Sequence, residues 1–299
     1  DEVFISDGSK PDIGRLQLLF GRDITMAVQD PAYPAYVASA LISGKGRIVY
    51  MPCLPENDFF PDLSVLPKVD VIYFCSPNNP TGTVPARDQL ESLVHYAREH
   101  GCLIVFDSAY AAFIQDPTLC ASLYEIDGAK EVVLETGSLS KFAGFTGVRL
   151  GWTVVPKALR FADGSPVIND WKQVMSTYFN GACNIAQAGA LAALTPEGRK
   201  GAYELVAYYM ENARLLREGL LRFGLECYGG EHTPYIWART PGRGSWELFD
   251  EILNKSFVVT TPGVGFGSAG EGFLRFSGFG DRSDVKEALL RLEAVFTSA

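Results

Sequence analysis

The sequence predicts an α/β fold: a large domain on a mostly parallel sheet, residues 1–200, and a smaller C-terminal α+β domain, residues 201–299. Three observations predict it. Strand-like and helix-like segments alternate through the first two thirds, the order of strand–helix–strand units. The strand-like segments there are continuous apolar runs, as in sheets covered on both faces. The last third changes character, opening on one long helical stretch and then mixing short strands with helices.

Each element has its own justification. "DITMAV" (23–28) reads as a strand, and "PAYVASALISG" (34–44) as a helix ending at glycine. "DVIYFCSP" (70–77) is an apolar run stopped by proline, which suits a buried parallel strand. "PARDQLESLVHYAREHG" (85–101) has proline near its start and glycine past its end, the usual helix punctuation. "CLIVFDSAY" (102–110), "EVVLETG" (131–137) and "VRLGWTVV" (148–155) read as three further strands. "GRKGAYELVAYYMENARLLREGLLRFG" (198–224) is the long helix. After it come "PYIWART" as a strand, "SWELFDEILNK" as a helix, "FVVTT" and "GFLRFSGF" as strands, and "SDVKEALLRLEAVF" as a closing helix.

Composition excludes several classes of function. The 299 residues are 47% hydrophobic and 20% charged, the balance of an ordinary globular protein. A net charge of -9 argues against a nucleic-acid partner. No apolar run approaches the ~20 residues of a membrane-spanning helix, and no signal or transit-like segment opens the chain. The chain begins at Asp1 without methionine, so a processed form or a piece of a longer protein is expected. The six cysteines form no CxxC pair and read as free thiols of a reducing compartment. The cytoplasm fits, as does the plastid stroma if the source is a plant or alga. Three histidines supply neither a zinc site nor a Ser-His-Asp triad well, so no metal is expected.

In open α/β sheets, ligands sit beyond the carboxyl ends of the strands. Three successive strands here end in abrupt polarity. "IYFC" runs into "SPNNPTG", placing Asn78 and Asn79 at the rim. "LIVF" runs into "DSAY", placing Asp107 and Tyr110 there. "VVLET" runs into "GSLSK", placing Ser138, Ser140 and Lys141 there. One Asn-Pro or Asp at a strand end is ordinary turn chemistry. Three ends in a row, with a lysine set among aromatic and small residues, need another reason.

Pyridoxal phosphate supplies one. It needs a lysine for its covalent linkage and a carboxylate to keep its ring nitrogen protonated. It also needs a donor at its phenolate oxygen, and hydroxyls, amides and an arginine around its phosphate. Lys141, Asp107, Tyr110, Asn79, Ser138 and Arg149 supply these types.

The sequence resembles the fold-type-I aminotransferases, the aspartate aminotransferase superfamily. The resemblance lies in the Asn-Pro-Thr-Gly of "SPNNPTG", the Asp-x-x-Tyr of "DSAY", the Ser-x-Ser-Lys of "SLSK", and the arginines of "GVRLGW" and "FLRFS". It implies a fold-type-I pyridoxal-phosphate transferase in which Asn79 and Tyr110 bond the phenolate oxygen and Asp107 pairs the ring nitrogen. Lys141 would hold the cofactor covalently, with Ser138, Ser140 and Arg149 at its phosphate. Arg275 would grip the substrate α-carboxylate as a bidentate fork. "SDGSK" precedes a helix, so Ser9 and Lys10 would meet the phosphate at its N-terminus, and Tyr33 of "QDPAYPAYV" would stack on the ring.

Longer stretches, "FCSPNNPTG", "SKFAGFTGVRLGWTV", "FNGACNIAQAGALA" and "VVTTPGVGFGSAGEGFLRFSGFG", resemble the LL-diaminopimelate aminotransferase family. This implies amino transfer between LL-2,6-diaminopimelate and 2-oxoglutarate in lysine biosynthesis. It also implies a homodimer in which Asn180 reaches a cofactor or substrate site, with Lys10, Tyr33 and Asn79 also touching substrate. It further implies a portion ahead of Asp1 with a substrate-contacting tyrosine and glycine, and a longer connection where this chain reads "ISGKGRIVY". Other fold-type-I aminotransferases, pyridoxal-phosphate lyases and a truncated inactive relative share the core motifs and stay open as alternatives.

Two competing motifs are weaker. Ser138-Leu-Ser-Lys141 is also the S-x-x-K of acyl-enzyme hydrolases, but no Lys-Thr-Gly strand accompanies it. "GFGSAG" (265–270) fits G-x-G-x-x-G by letter but leads into a strand, so it reads as a loop near the substrate entrance.

Overall fold

The structure is a computed structural model and describes residues 2–240 and 242–296. Among these residues the strands form one seven-stranded and one four-stranded sheet. The first half of the chain runs β1 (Val3–Ser6), α1 (Ser9–Leu19), β2 (Thr25–Asp30), α2 (Ala35–Ile42), β3 (Arg47–Pro52), β4 (Val71–Cys75), α3 (Arg87–His100) and β5 (Leu103–Asp107). Then come β6 (Val133–Ser138), α4 (Leu139–Phe142), β7 (Gly151–Val154), α5 (Val167–Tyr178), α6 (Asn184–Ala193) and α7 (Pro196–Arg222). The chain closes with β8 (Cys227–Gly229), β9 (Tyr235–Arg239), α8 (Ser245–Ser256), β10 (Thr261–Pro262), β11 (Phe273–Ser277) and α9 (Arg282–Phe296).

The large sheet has the order β1-β7-β6-β5-β4-β2-β3. From β3 to β6 the pairings are parallel, while β7 is antiparallel to both β6 and β1. Along β4, Ile72 and Phe74 face one side, against Leu90, Leu93 and Val94 of α3. Val71, Tyr73 and Cys75 face the other, against Ile13 and Leu16 of α1 and Tyr36 of α2. Both faces are buried, which is why the strand reads as one apolar run rather than an alternation. Each such side chain stabilises the fold by roughly 1.5–3 kcal/mol. The helix α3 ends where expected, with Gly101 in the left-handed region at φ 65°.

The smaller sheet, β10-β11-β9-β8, is antiparallel and packs on α7, α8 and α9 through Leu216, Leu220, Ile236, Leu248, Leu274 and Leu292. A division after residue 200 falls inside α7, just past its start.

The expected strands 23–28, 70–77, 102–110 and 131–137 are present with shifted ends, β2 running on to Asp30 and β6 to Ser138. Two expectations need correction. "FVVTT" opens on Phe257, the left-handed cap of α8 at φ 56°, and does not pair until Thr261, because only Thr261 and Pro262 lie opposite β11. "VRLGWTVV" starts pairing at Gly151, because Arg149 takes a left-handed turn at φ 69°. The strands β1, β3 and β8 and the helices α4, α5 and α6 carry no expectation from sequence. No helix among the described residues is long and apolar enough to cross a membrane.

Candidate active site

Adjacent strands β4, β5 and β6 run parallel, so their carboxyl ends open on one rim. A cavity of about 490 Å³ lies there. It is lined by Ser9, Lys10, Tyr33, Asn79, Asp107, Tyr110, Ser138, Ser140, Lys141, Arg149 and Arg275. Of the residues named from sequence, Asn180 lies elsewhere, exposed in the connection between α5 and α6, and Asn78 is not among the cavity's lining. Tyr36, Cys75, Thr146 and Tyr235 also line the cavity, and sequence reasoning missed them.

Asp107, the last residue of β5, sits buried at the floor. Its Oδ1 accepts from the Ser9 hydroxyl at 3.2 Å and the Ala109 amide at 3.1 Å, and its Oδ2 accepts from the Tyr36 hydroxyl at 2.9 Å. Burial pushes its carboxyl above the usual range, and these three donors pull it partly back. None of the three carries a charge, and no ion pair among the described residues includes Asp107. A buried carboxylate served only by neutral donors is set to receive a cation.

Lys141 follows from the β6 end through the one-turn helix α4. The Ser138 hydroxyl accepts from the Ser140 amide at 3.0 Å and so starts that turn. The Lys141 ammonium lies 4.9 Å from the Phe279 ring centre. Burial lowers its pKa, and the positive charges of Arg275 and Arg149 lower it further. A lysine in such surroundings gives up its proton more readily and becomes a nucleophile.

Above α4, the Ser138 hydroxyl donates to Ser140 Oγ at 2.9 Å, and Arg149 Nη1 donates to Ser140 Oγ at 3.0 Å. Gly8 backs this cluster at φ 127°, where a Cβ would stand 2.4 Å from Arg149 Nη2. Two hydroxyls and a guanidinium, with the first residues of α1 alongside, form an anion cradle.

Across the cavity, β11 presents Arg275. Its Nη1 donates to Asn79 Oδ1 at 2.7 Å and its Nη2 to Thr261 Oγ1 at 3.4 Å. Its guanidinium packs 4.5 Å from the Tyr235 ring centre and 4.8 Å from that of Phe266. The buried Nε has no partner. The hydroxyls of Tyr110 and Tyr235 bond each other at 2.9 Å, and burial raises both.

The turn that presents Asn79 is fixed from within. Asn78 Nδ2 donates to Thr81 Oγ1 at 3.1 Å, and the Gly82 amide to the Asn78 carbonyl at 2.8 Å. Of the two asparagines at this rim, Asn78 is therefore spent on the turn and Asn79 faces the cavity.

This donor set fits pyridoxal phosphate: a neutral-leaning amine, a buried carboxylate awaiting a cation, phenol donors, and an anion cradle at the right rim. A second arginine remains for a substrate carboxylate.

Comparison with known proteins agrees. The sequence profile of "Aminotransferase class I and II" matches residues 1–292. The chain is 55% identical over 98% of its length to the LL-diaminopimelate aminotransferase of Protochlamydia amoebophila, covering 74% of that protein. It is 51% identical over 99% of its length to the chloroplastic LL-diaminopimelate aminotransferase of Arabidopsis thaliana, covering 66% of it. The chain thus spans about two thirds to three quarters of the curated relatives it matches. Among solved structures, the L,L-diaminopimelate aminotransferase of Chlamydomonas reinhardtii superimposes with a TM-score of 0.96 at 52% identity, over 99% of this chain and 75% of that one. An aromatic aminotransferase of Pyrococcus horikoshii superimposes with a TM-score of 0.89 at 25% identity. By sequence and by shape alike, the chain belongs to the class I and II aminotransferases.

Proposed function

We propose that this chain transfers an amino group between LL-2,6-diaminopimelate and 2-oxoglutarate, a reaction of lysine biosynthesis. Aminotransferases of this family depend on pyridoxal phosphate. The cofactor supplies an electron sink for the charge left at the substrate Cα when its proton departs. The observation that carries the reading is the meeting, on one cavity, of Lys141, Asp107, the Arg149 cradle and Arg275. The substrate follows from the 51–55% identity to proteins named for it.

In this reading Asp107 would pair with the protonated ring nitrogen, and the Tyr36 and Ser9 bonds would favour the charged form of that carboxylate. Tyr110 and Asn79 would serve the phenolate oxygen, and Tyr33 would cover the ring. Ser138, Ser140, Arg149 and the α1 start with Ser9 and Lys10 would hold the phosphate. Arg275 takes the α-carboxylate of either substrate, with Lys10, Tyr33 and Asn79 beside it. Lys141, whose pKa burial and the charges of Arg275 and Arg149 lower, would take the proton from Cα.

We further propose a homodimer. The helix α6 and its flanks leave Tyr178, Ile185, Leu191 and Leu194 exposed, with Ile185 81% accessible, and Asn180 lies in the same stretch. A second copy covering that surface brings Asn180 toward a site. The compartment proposed is the cytoplasm or a plastid stroma, and the units proposed are residues 1–200 and 201–299.

The test is borohydride reduction of the cofactor-loaded protein with peptide mapping, followed by an amino-acid panel with 2-oxoglutarate as acceptor. The label is expected on the peptide containing "SLSK", and LL-diaminopimelate is expected to lead the panel. Label on Lys10 overturns the site, and a different preferred amino acid overturns the substrate.

A further inference from the structure

We propose that Asp30 is a positioning residue for Arg275: its buried carboxylate latches the 266–269 loop to the end of β2, and that loop carries a ring on which the Arg275 guanidinium packs. The proposal rests on the site reading above and assigns a role to a residue outside the cavity lining.

Asp30 closes β2 on the large sheet and is 3% exposed. Its carboxylate has two donors, both from the loop that precedes β11. Ser268 Oγ donates to Oδ2 at 2.9 Å, and the Ala269 amide donates to Oδ1 at 3.1 Å. A third bond lies beside them, from the Ala32 amide to the Phe266 carbonyl at 2.9 Å. The loop backbone therefore comes flat against the end of β2. Gly267 permits this, since its φ is 134° and a Cβ there would stand 2.0 Å from Asp30 Oδ1. The letters "GFGSAG" thus mark a close approach to a carboxylate and not a phosphate loop.

Phe266 transmits the position inward. It is 8% exposed, packs edge-on to Trp237 with ring centres 6.0 Å apart, and lies 4.8 Å from the Arg275 guanidinium. Arg275 has only one short hydrogen bond, to Asn79, and its Nε is unpaired. Its placement therefore depends on the rings of Phe266 and Tyr235. Bidentate capture of a carboxylate needs the planar fork aligned in both direction and twist. A loop that slides off Asp30 carries Phe266 with it and releases that alignment. Burial raises the Asp30 carboxyl, and the Ser268 and Ala269 bonds offset this, as expected of a carboxylate whose partners are these two.

The experiment uses the full chain loaded with pyridoxal phosphate. Glutarate, a dicarboxylate with no amino or oxo group, is titrated while the cofactor absorbance is followed, and KM and kcat for 2-oxoglutarate are measured alongside. Asp30→Ala is expected to raise the glutarate dissociation constant and the KM roughly tenfold or more. The kcat at saturation and the cofactor absorbance without glutarate are expected to hold. Asp30→Asn keeps an acceptor for the Ala269 amide and a polar partner for Ser268, so it is expected to restore most of the affinity. Ser268→Ala removes one bond and is expected to give a smaller rise in the same direction; it carries the test if Asp30→Ala does not fold. Unchanged glutarate affinity in Asp30→Ala, or in Ser268→Ala where the former is unfolded, overturns the latch even if the melting temperature falls. A wild-type protein that acquires no lysine-bound cofactor overturns the site reading itself, and the latch with it.

Discussion

Tyr36→Phe removes one oxygen atom and leaves the packing of a ring that is 1% exposed. That oxygen donates to Asp107 Oδ2 at 2.9 Å, one of three donors on the carboxylate. A hydrogen bond to a charged acceptor contributes about 1.5–3 kcal/mol. Burial already raises Asp107, and the Tyr36 bond is the first of the effects that oppose it. Without it the carboxyl holds its proton to higher pH, and a neutral carboxyl does not retain a protonated pyridine nitrogen. At 1.4 kcal/mol per decade, the expected loss of pyridoxal phosphate affinity is on the order of 10- to 100-fold. Equilibrium dialysis in a Lys141→Ala background measures this without the covalent linkage. The deficit should widen as pH falls, since protonation of Asp107 is the event the lost bond opposed. Equal affinities for the two proteins at every pH, with a lower melting temperature as the sole effect, would refute the reasoning. Tyr36 would then support the fold alone.

Other consequences can be measured on the same protein. Glu135 is buried on β6, accepts from Ser122 Oγ at 2.7 Å and the Leu123 amide at 3.2 Å, and is pushed up to about 7. Its folded-state value lies above its unfolded one. Its stabilising contribution is therefore full below about pH 4.5 and lost as pH rises through about 7. Glu135→Gln keeps the acceptor and should be more stable than wild type above pH 7, by up to about 3 kcal/mol, with the gap closing in acid; denaturant midpoints at two pH values check this, and a gap independent of pH refutes it. Gly8→Ala places a methyl 2.4 Å from Arg149 Nη2 in a left-handed backbone. It should weaken pyridoxal phosphate about tenfold and leave pyridoxal, which has no phosphate, nearly unchanged; equal losses for both ligands would show that Arg149 does not serve the phosphate.

The rim of the large sheet was legible because burial is legible. β4, β5 and β6 are covered on both faces, so the first polar residue after each apolar run marks where the cover ends. Asp107 declared itself in that way, and Asn79 and Lys141 follow within a few residues of Ser76 and Glu135. Tyr36 did not. It shares "PAYPAY" with Tyr33, and which ring turns toward Asp107 depends on how α2 leaves Pro34. Tyr235 was hidden because "PYIWART" reads as an apolar strand, and only its pairing with β11 brings the hydroxyl to Tyr110. The strand β1 has four residues and draws its stability from the β7 edge, which no local window contains. "FVVTT" erred in the opposite direction, with strong β-propensity and no partner until Thr261. The loop at 265–270 was placed near the site by its neighbours in sequence, but its bond to Asp30 joins residues 238 positions apart.

The helix α7 has a mechanical consequence. Its 27 residues make a rod roughly 40 Å long. Near its start Tyr203 packs edge-on to Phe142, the residue after the lysine. Midway, Val206 and Met210 share a cluster with Tyr110 and Tyr235. Farther on, Leu216 and Leu220 belong to the core of the sheet that bears Arg275. One rod thus touches both walls of the cleft, near its start on one side and far along its length on the other. A swing of about 3° about its start moves the far end by about 2 Å, given that length. A rotation that small beside the lysine would displace the arginine's sheet by as much as separates holding a carboxylate from missing it.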